Sequence, residues 1–339
     1  MNAPAPPKGL AGEAPILALR SVRKYFMPSQ GLASEIASLW RKKRDVAGSV
    51  QAVKGLDLEV KPGEILGLVG ESGSGKSTLG RLMCRLHEPD QGQVLYEGRD
   101  LALFSKAELK GFRAKVQFMF QDPASSLNPR LTARSALTEG LTIHKLGTRA
   151  EKNLKVNLLM EEVGLSADLA SRYPHQFSGG QRQRLCLARA LSLDPKLLIA
   201  DEPASALDVS IQAQIINLLL SLKERRGLTM VLISHDLALV CLMADRLAVM
   251  YGGLLMEVFP RSLLGKVDHH PYVKALWASI DSTSKSDLIL EGEPPDPQNP
   301  PPGCPFNPRC PEAEDICRER EIRMIRLEPD RSCACHRRA

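Results

Sequence analysis

The feature that most constrains this chain is the run Gly70-Glu71-Ser72-Gly73-Ser74-Gly75-Lys76-Ser77-Thr78. Ile65, Leu66, Gly67, Leu68 and Val69 precede it, and a helical pattern through Thr78, Leu79, Leu82, Met83 and Leu86 follows. A glycine-rich turn between a buried strand and a helix is a phosphate cradle. The glycines let successive N–H groups face one anion, and the helix N-terminus adds partial positive charge. The pattern assigns Gly70, Ser72, Gly73, Gly75, Lys76, Ser77 and Thr78 to a nucleoside triphosphate, with Lys76 on the β- and γ-phosphates and the Ser77 hydroxyl on Mg²⁺.

At 339 residues the chain can bury a large core and carry an appendage. No apolar run approaches the ~20 residues that span a bilayer. The most apolar region, 231–259, is broken by His235, Asp236, Asp245, Arg246 and Glu257. The start, Met1-Asn2-Ala3-Pro4-Ala5-Pro6-Pro7, lacks the continuous apolar segment of a signal peptide. A cytosolic protein is therefore expected, and its eight cysteines read as thiols or metal ligands rather than disulfides. The formal charge of +6 suits an anionic ligand or membrane surface but is too diffuse to indicate nucleic acid.

Residues 1–15 read as a disordered Pro/Ala tail, followed by a strand from Ile16 towards Phe26 and another over 50–60. Between them, Leu32, Ile36, Leu39 and Trp40 share a helical face ahead of the basic run Arg41-Lys42-Lys43-Arg44. This segment reads either as an amphipathic helix on a membrane or partner, or as a solvated insertion loop. Short strands are expected at 93–96, 115–120, 197–200 and 229–234, and helices at 133–144, 151–163, 181–193 and 209–226. This alternation indicates an α/β core with a mainly parallel sheet. Proline and glycine dominate from Pro294 to Pro311, so the last ~50 residues read as a separate loop-rich appendage.

Asp201, at the end of the apolar run Leu197-Leu198-Ile199-Ala200, is placed to hold Mg²⁺, and Glu202 to orient or deprotonate an attacking water. Ser178-Gly179-Gly180-Gln181 opens a helix and offers a second anion site. Here the chain resembles the ABC ATPase family, whose signature is L-S-G-G-Q, with Phe177 where leucine is commonest. The resemblance covers about residues 16–260. It implies an α/β fold: a P-loop NTPase core with a RecA-like sheet and an antiparallel β part, plus a helical subdomain. It also implies that Ser178, Gly180 and Gln181 grip ATP lying on the phosphate loop of an opposing subunit, so that the working unit is a head-to-tail dimer. By the same resemblance Gln121 contacts Mg²⁺ or water, Ser205-Ala206-Leu207-Asp208 forms the D-loop, and His235 bonds the γ-phosphate. Phe26 packs on adenine, with Tyr25 as its rival. Glu202, His235 and Gln121 are thus the expected catalytic group. A DNA-repair ATPase would carry a long coiled-coil insertion, a ribosome-acting one two cassettes, and a non-enzymatic regulator would lack Glu202, His235 or the signature.

The C-terminal part resembles the extension of ATP-binding subunits from the dipeptide/oligopeptide/nickel importer group, second-ATPase type. That resemblance rests on His270-Pro271-Tyr272, the run 291–297, Gly303-Cys304-Pro305-Phe306, Pro308-Arg309-Cys310-Pro311, Cys317 and Ala334-Cys335-His336. The insertion after Phe26 and the run 121–129 fit the same group. The implied organisation is a tail at 1–15, an ATPase domain at 16–265 with its helical subdomain at about 122–193, and a small loop-rich C-terminal extension at 266–339. Cys304, Cys310, Cys317 and Cys335 match the family's cysteines for a [4Fe–4S] cluster. Spacing alone does not separate a cluster from zinc, reduced thiols in a proline-rich tail are the bland alternative, and Cys333 or His336 could replace a ligand. Cys84, Cys186 and Cys241 read as core. The implied partners are a second ABC ATPase subunit (paralogue or self), two transmembrane permease subunits and, indirectly, an extracytoplasmic solute-binding protein, with no nucleic acid. The location implied is peripheral, on the cytoplasmic face of the membrane. The expected activity is ATP hydrolysis that drives uptake of di- or oligopeptides; nickel, glutathione or an opine-like solute are the alternative cargoes.

Overall fold

The computed structural model describes residues 14–27, 49–205, 207–280 and 292–338. The expected tail up to residue 13 and the amphipathic or looped segment 28–48 lie outside the described residues. Two sheets organise the chain. The smaller has four strands, in the order β2-β1-β4-β5: β1 (Leu17–Phe26), β2 (Val50–Val60), β4 (Gln91–Tyr96) and β5 (Arg99–Asp100). The larger has eight, in the order β11-β12-β10-β9-β3-β8-β7-β6. Its members are β3 (Ile65–Val69), β6 (Val116–Met119), β7 (Leu197–Asp201), β8 (Thr229–Ser234), β9 (Arg246–Tyr251), β10 (Leu254–Pro260), β11 (Ile325–Glu328) and β12 (Arg331–Cys333). Strands β9, β3, β8, β7 and β6 run parallel. β10, β12 and β11 continue the sheet antiparallel.

The period-2 alternation of the central strands divides the interior into two cores. Leu66 and Leu68 of β3, Leu197 and Ile199 of β7, and Val231 and Ile233 of β8 pack towards the small sheet and α1 (Lys76–Met83). Ile65, Val69, Leu198, Ala200, Met230 and Leu232 point the other way, into a core shared with the helical part and the C-terminal extension.

Helix boundaries follow their end groups. A ten-residue helix, α2 (Lys106–Lys115), precedes β6. Sequence periodicity does not announce it, because Phe112 is its one buried side chain, although its Ser105/Glu108 capping box marks the start. The helical part comprises α3 (Pro123–Ser126), α4 (Ala133–Ile143), α5 (Arg149–Glu162) and α6 (Gly179–Leu191). Thr148/Glu151 and Ser178/Gln181 close capping boxes on α5 and α6. In α7 (Val209–Arg226), Asp208 accepts from the Ile211 N–H at 3.0 Å, and the helix stops at Gly227 with φ +60°. The remaining helices are α8 (Leu237–Met243), α9 (Pro271–Ala278) and α10 (Asp315–Glu319).

The C-terminal extension is not set apart as a separate appendage. Glu257 and Val258 of β10 pair with Cys333 and Ser332 of β12, and Cys304, Phe306 and Cys317 belong to the same core as the central strands. A buried polar hub seals this junction. The fully buried Glu257 carboxylate meets His269 Nδ1 at 2.9 Å, the His270 N–H at 2.8 Å and Arg331 Nε at 3.0 Å. Burial alone would raise the Glu257 pKa; the His269, His270 and Arg331 contacts outweigh it and hold the group below its usual value. Its contribution to stability is therefore complete above the unfolded value of 4.5 and is lost as pH falls through the lower folded value. Glu257→Ala takes the buried carboxylate partner from Arg331, leaving it the Asp268 carbonyl, and is expected to cost about 3–5 kcal/mol, read as a lower thermal midpoint at pH 7. That deficit should shrink on acidification below 4.5, because the unaltered protein then loses the same contribution.

Candidate nucleotide site

Parallel pairing in register brings four strand ends to one edge of the large sheet. Val69 pairs with Ser234, Asp201 with Ile233 and Met119 with Ala200, so the segments leaving β3, β8, β7 and β6 emerge side by side. This is where open α/β sheets place their ligands. The expected residues Lys76, His235, Asp201, Glu202 and Gln121 all follow from these ends.

The loop from Gly70 to Ser77 wraps back on itself. Lys76 Nζ donates to the carbonyl oxygens of Gly70 at 2.6 Å and Glu71 at 2.8 Å, with Ser74 Oγ at 3.4 Å. Burial lowers the Lys76 pKa; the charges of Glu202, Asp201 and Glu71 act in the opposite sense. Gly75 sits at φ +100°, and a Cβ there would lie 2.3 Å from the Ala52 carbonyl oxygen, so the turn into α1 requires glycine. Gly70 is equally constrained, since its Cβ would come within 2.1 Å of the Met250 carbonyl oxygen. Ser72 and Gly73 form the exposed tip of the loop, and Thr78 lies in the first turn of α1.

Ser77 Oγ donates to Asp201 Oδ1 at 3.0 Å. Burial raises the Asp201 pKa, Glu202 adds to this, and Ser77, Arg81 and Lys76 oppose it. These two oxygens are hard donors of the kind Mg²⁺ takes, so the residues present fit the ion. Glu202 follows in the left-handed region at φ +48°, which costs a non-glycine residue about 1–2 kcal/mol. Glu202 Oε1 meets His235 Nδ1 at 2.7 Å, whereas Oε2 is buried with no hydrogen-bond partner among the described residues. His235 is 58% exposed and Glu202 12%, so the imidazole bridges solvent and a shielded carboxylate. Glu202 also lines a cleft with Gln121, Asp122, Gly179, Gln183 and Pro203.

Not every expected residue joins this group. Ser178, Gly180 and Gln181 are occupied at the start of α6: Ser178 Oγ accepts from the Gln181 N–H at 3.3 Å, and Gln181 Oε1 from the Ser178 N–H at 3.0 Å. None of the three lines the pockets around Glu202 or the pocket beside Ser72, Gly73 and Ser74. Asp208 caps α7. Phe26 packs edge-on to His87, 5.5 Å between ring centres, while the Tyr25 hydroxyl accepts from Gln51 at 3.2 Å. Gln51 lines the pocket beside the loop tip and Phe26 does not.

Two groups escaped the sequence reading. Gln183, almost wholly buried in α6, donates to the Pro203 carbonyl and ties that helix to the segment after Glu202. Glu71, which the loop pattern treats as an unrestricted position, is bonded to Arg309 and Tyr272 of the extension. No local pattern could reveal a contact that spans 238 residues.

Cys304, Cys310, Cys317 and Cys335 converge on one pocket, together with His270 and His336. Burial pushes the Cys304 thiol up to about 12, and the nearby Cys317, Cys310 and Cys335 add to that. Among the described residues, however, no group of three or more His, Cys, Asp or Glu is gathered so as to hold a metal ion. The expected metal centre is thus a shared thiol pocket rather than a formed ligand set, with the Cys304 N–H donating to the Cys317 carbonyl at 2.8 Å within it. Cys333 faces the sheet junction opposite Glu257 and does not line the pocket, which leaves Cys335 as its fourth thiol. Cys84 and Cys186 are buried and Cys241 partly so, as core positions should be.

Comparison with known proteins gives the family. Residues 53–205 match the ABC transporter family, and 256–317 the C-terminal region of oligopeptide/dipeptide transporters. The oligopeptide transport ATP-binding protein AppF of Bacillus subtilis is 47% identical, over 96% of this chain and 98% of its own. A Brucella ovis protein named as a peptide import ATP-binding protein is 42% identical, with the same two coverages of 96% and 98%. A solved dimeric ATP-binding cassette, in a post-hydrolysis state bound to ADP and Pi, superposes with a TM-score of 0.62 at 28% identity, covering 72% of this chain and 98% of that one. The chain belongs to the ABC transporter ATP-binding proteins, of the type that carries the oligopeptide/dipeptide transporter C-terminal region.

Proposed function

We propose that the chain binds and hydrolyses ATP to power the import of di- or oligopeptides. The observation that carries the enzymatic part is the Glu202 carboxylate, with one oxygen on His235 and the other buried, without a hydrogen-bond partner among the described residues, at the strand edge beside Lys76 and Asp201. The loop N–H groups and Lys76 bind the phosphates, and Phe26 or Tyr25 borders the base. Mg²⁺ held by Ser77 and Asp201, with Gln121 near it, would neutralise charge on the phosphates. Glu202 Oε2 takes the proton of the attacking water, and His235 fixes the carboxylate's rotation. The cargo reading is supported by the relatives' names and by the matching C-terminal region.

Of the signature run, Gly179 lines the cleft beside Glu202, whereas Ser178, Gly180 and Gln181 line neither that cleft nor the pocket beside Ser72 and Gly73. This, together with the dimeric cassette it resembles, supports a second ATPase subunit that closes each site, with the D-loop from Ser205 to Asp208 at the joint. No helix among the described residues is long and apolar enough to cross a membrane, so transport requires separate permease subunits, with this chain docked peripherally on their cytoplasmic side. Four thiols around one pocket suit iron–sulfur or zinc chemistry, and we assign Cys304, Cys310, Cys317 and Cys335 to a [4Fe–4S] cluster.

Glu202→Gln is expected to bind ATP as the unaltered protein does while turnover falls at least about 100-fold, read by equilibrium binding and phosphate release. Substantial residual hydrolysis would remove Glu202 from the role. Protein purified without oxygen should contain about four irons and four sulfides per chain, lost in Cys→Ser variants. One zinc without sulfide would recast the pocket as a structural staple.

A further inference from the structure

The Gly70–Lys76 loop is held from outside the nucleotide-binding core. Glu71 is the point of attachment, and all three of its polar groups are engaged. Its N–H donates to the Tyr272 hydroxyl at 3.0 Å, and its carbonyl oxygen accepts from Lys76 Nζ at 2.8 Å. Its carboxylate accepts from Arg309 Nη1 at 2.8 and 3.1 Å. The same Nη1 donates to the Tyr251 hydroxyl at 3.1 Å, and the guanidinium lies over the Tyr251 ring, 5.8 Å from its centre.

Arg309 is presented rigidly. The turn 307–309 is fixed by Asn307, whose side-chain amide donates to the Pro302 and Cys304 carbonyls at 2.8 Å each. Phe306, just before that turn, is fully buried against Tyr251 and Tyr272, with ring centres 5.3 and 5.2 Å away. The Arg309 side chain is 8% exposed and that of Glu71 20%, so the pair lies outside the solvent-screened regime in which ion pairs contribute little.

A carboxylate in a loop built to receive a triphosphate is unfavourable unless it is neutralised, because like charges repel most strongly where water is excluded. We infer that Arg309 is a positioning residue of the nucleotide site that acts through Glu71: by neutralising this carboxylate it keeps the loop receptive to phosphate, and it makes the C-terminal extension a working part of ATP binding. The inference rests on the reading of this loop as an ATP site. Arg309 acts on binding rather than on the chemical step, since among the described residues its hydrogen bonds go to Glu71 and Tyr251, whereas Glu202 and His235 hang from β7 and β8 and bond to each other.

The test is titration of the full chain with ATP and Mg²⁺, comparing Arg309→Gln, Glu71→Gln and the double variant. Arg309→Gln leaves an unneutralised carboxylate and should weaken ATP binding about tenfold. Glu71→Gln should bind at least as tightly as the unaltered protein. The double variant has lost the ion pair just as completely, yet should recover the affinity of Glu71→Gln, which a merely structural role for Arg309 cannot explain. Arg309→Gln binding like the unaltered protein would overturn the inference, as would a double variant about tenfold weaker than Glu71→Gln. The latter comparison serves even if Arg309→Gln fails to fold. Failure of the unaltered protein to bind ATP would count against the site itself, separately from Arg309.

Discussion

The structure depends on the parallel hydrogen-bond register of β3, β8, β7 and β6. Because these strands end level with one another, the phosphate loop, His235, the Asp201–Glu202 pair and Gln121 arrive at one edge, although they are spread over 166 positions of sequence. A slip of one residue in any of these pairings would turn that strand's side chains to the opposite face. The two cores guard against this. Leu66 and Leu68 have a different core to fill from Ile65 and Val69, so a shifted strand would put the wrong set of side chains into both.

That edge also carries local strain at Glu202. Glu202 adopts a left-handed backbone, and one of its buried carboxylate oxygens has no hydrogen-bond partner among the described residues, two features that are unfavourable for folding. Asp201 beside it is bonded to Ser77, so neighbouring carboxylates face different surroundings. The His235 contact fixes one of them without filling its second oxygen.

The extension changes how the molecule should be understood. Its proline-rich sequence suggests an independent tail, yet it adds β12 and β11 to the main sheet, shares a core with the central strands and closes a buried hub around Glu257. Through Tyr272 and Arg309 it touches the phosphate loop itself. The thiol pocket lies in the same turns, with Cys310 adjacent to Arg309.

What the sequence determined by itself was local. Gly70 to Thr78 could be read as a phosphate cradle because glycine spacing and a following helix are set by neighbouring residues. The end of α7 at Gly227 and the acids at the end of β7 were readable for the same reason. The helix Lys106–Lys115 was missed because a single buried face residue leaves no periodicity to read. The tertiary structure alone decided which groups meet. Glu71 bonding to Arg309, Gln183 to Pro203, and Cys335 rather than Cys333 facing the thiol pocket are all relations between distant segments. Such contacts are selected by packing and by the need to pair buried polar groups, and neither leaves a pattern in the residues nearby.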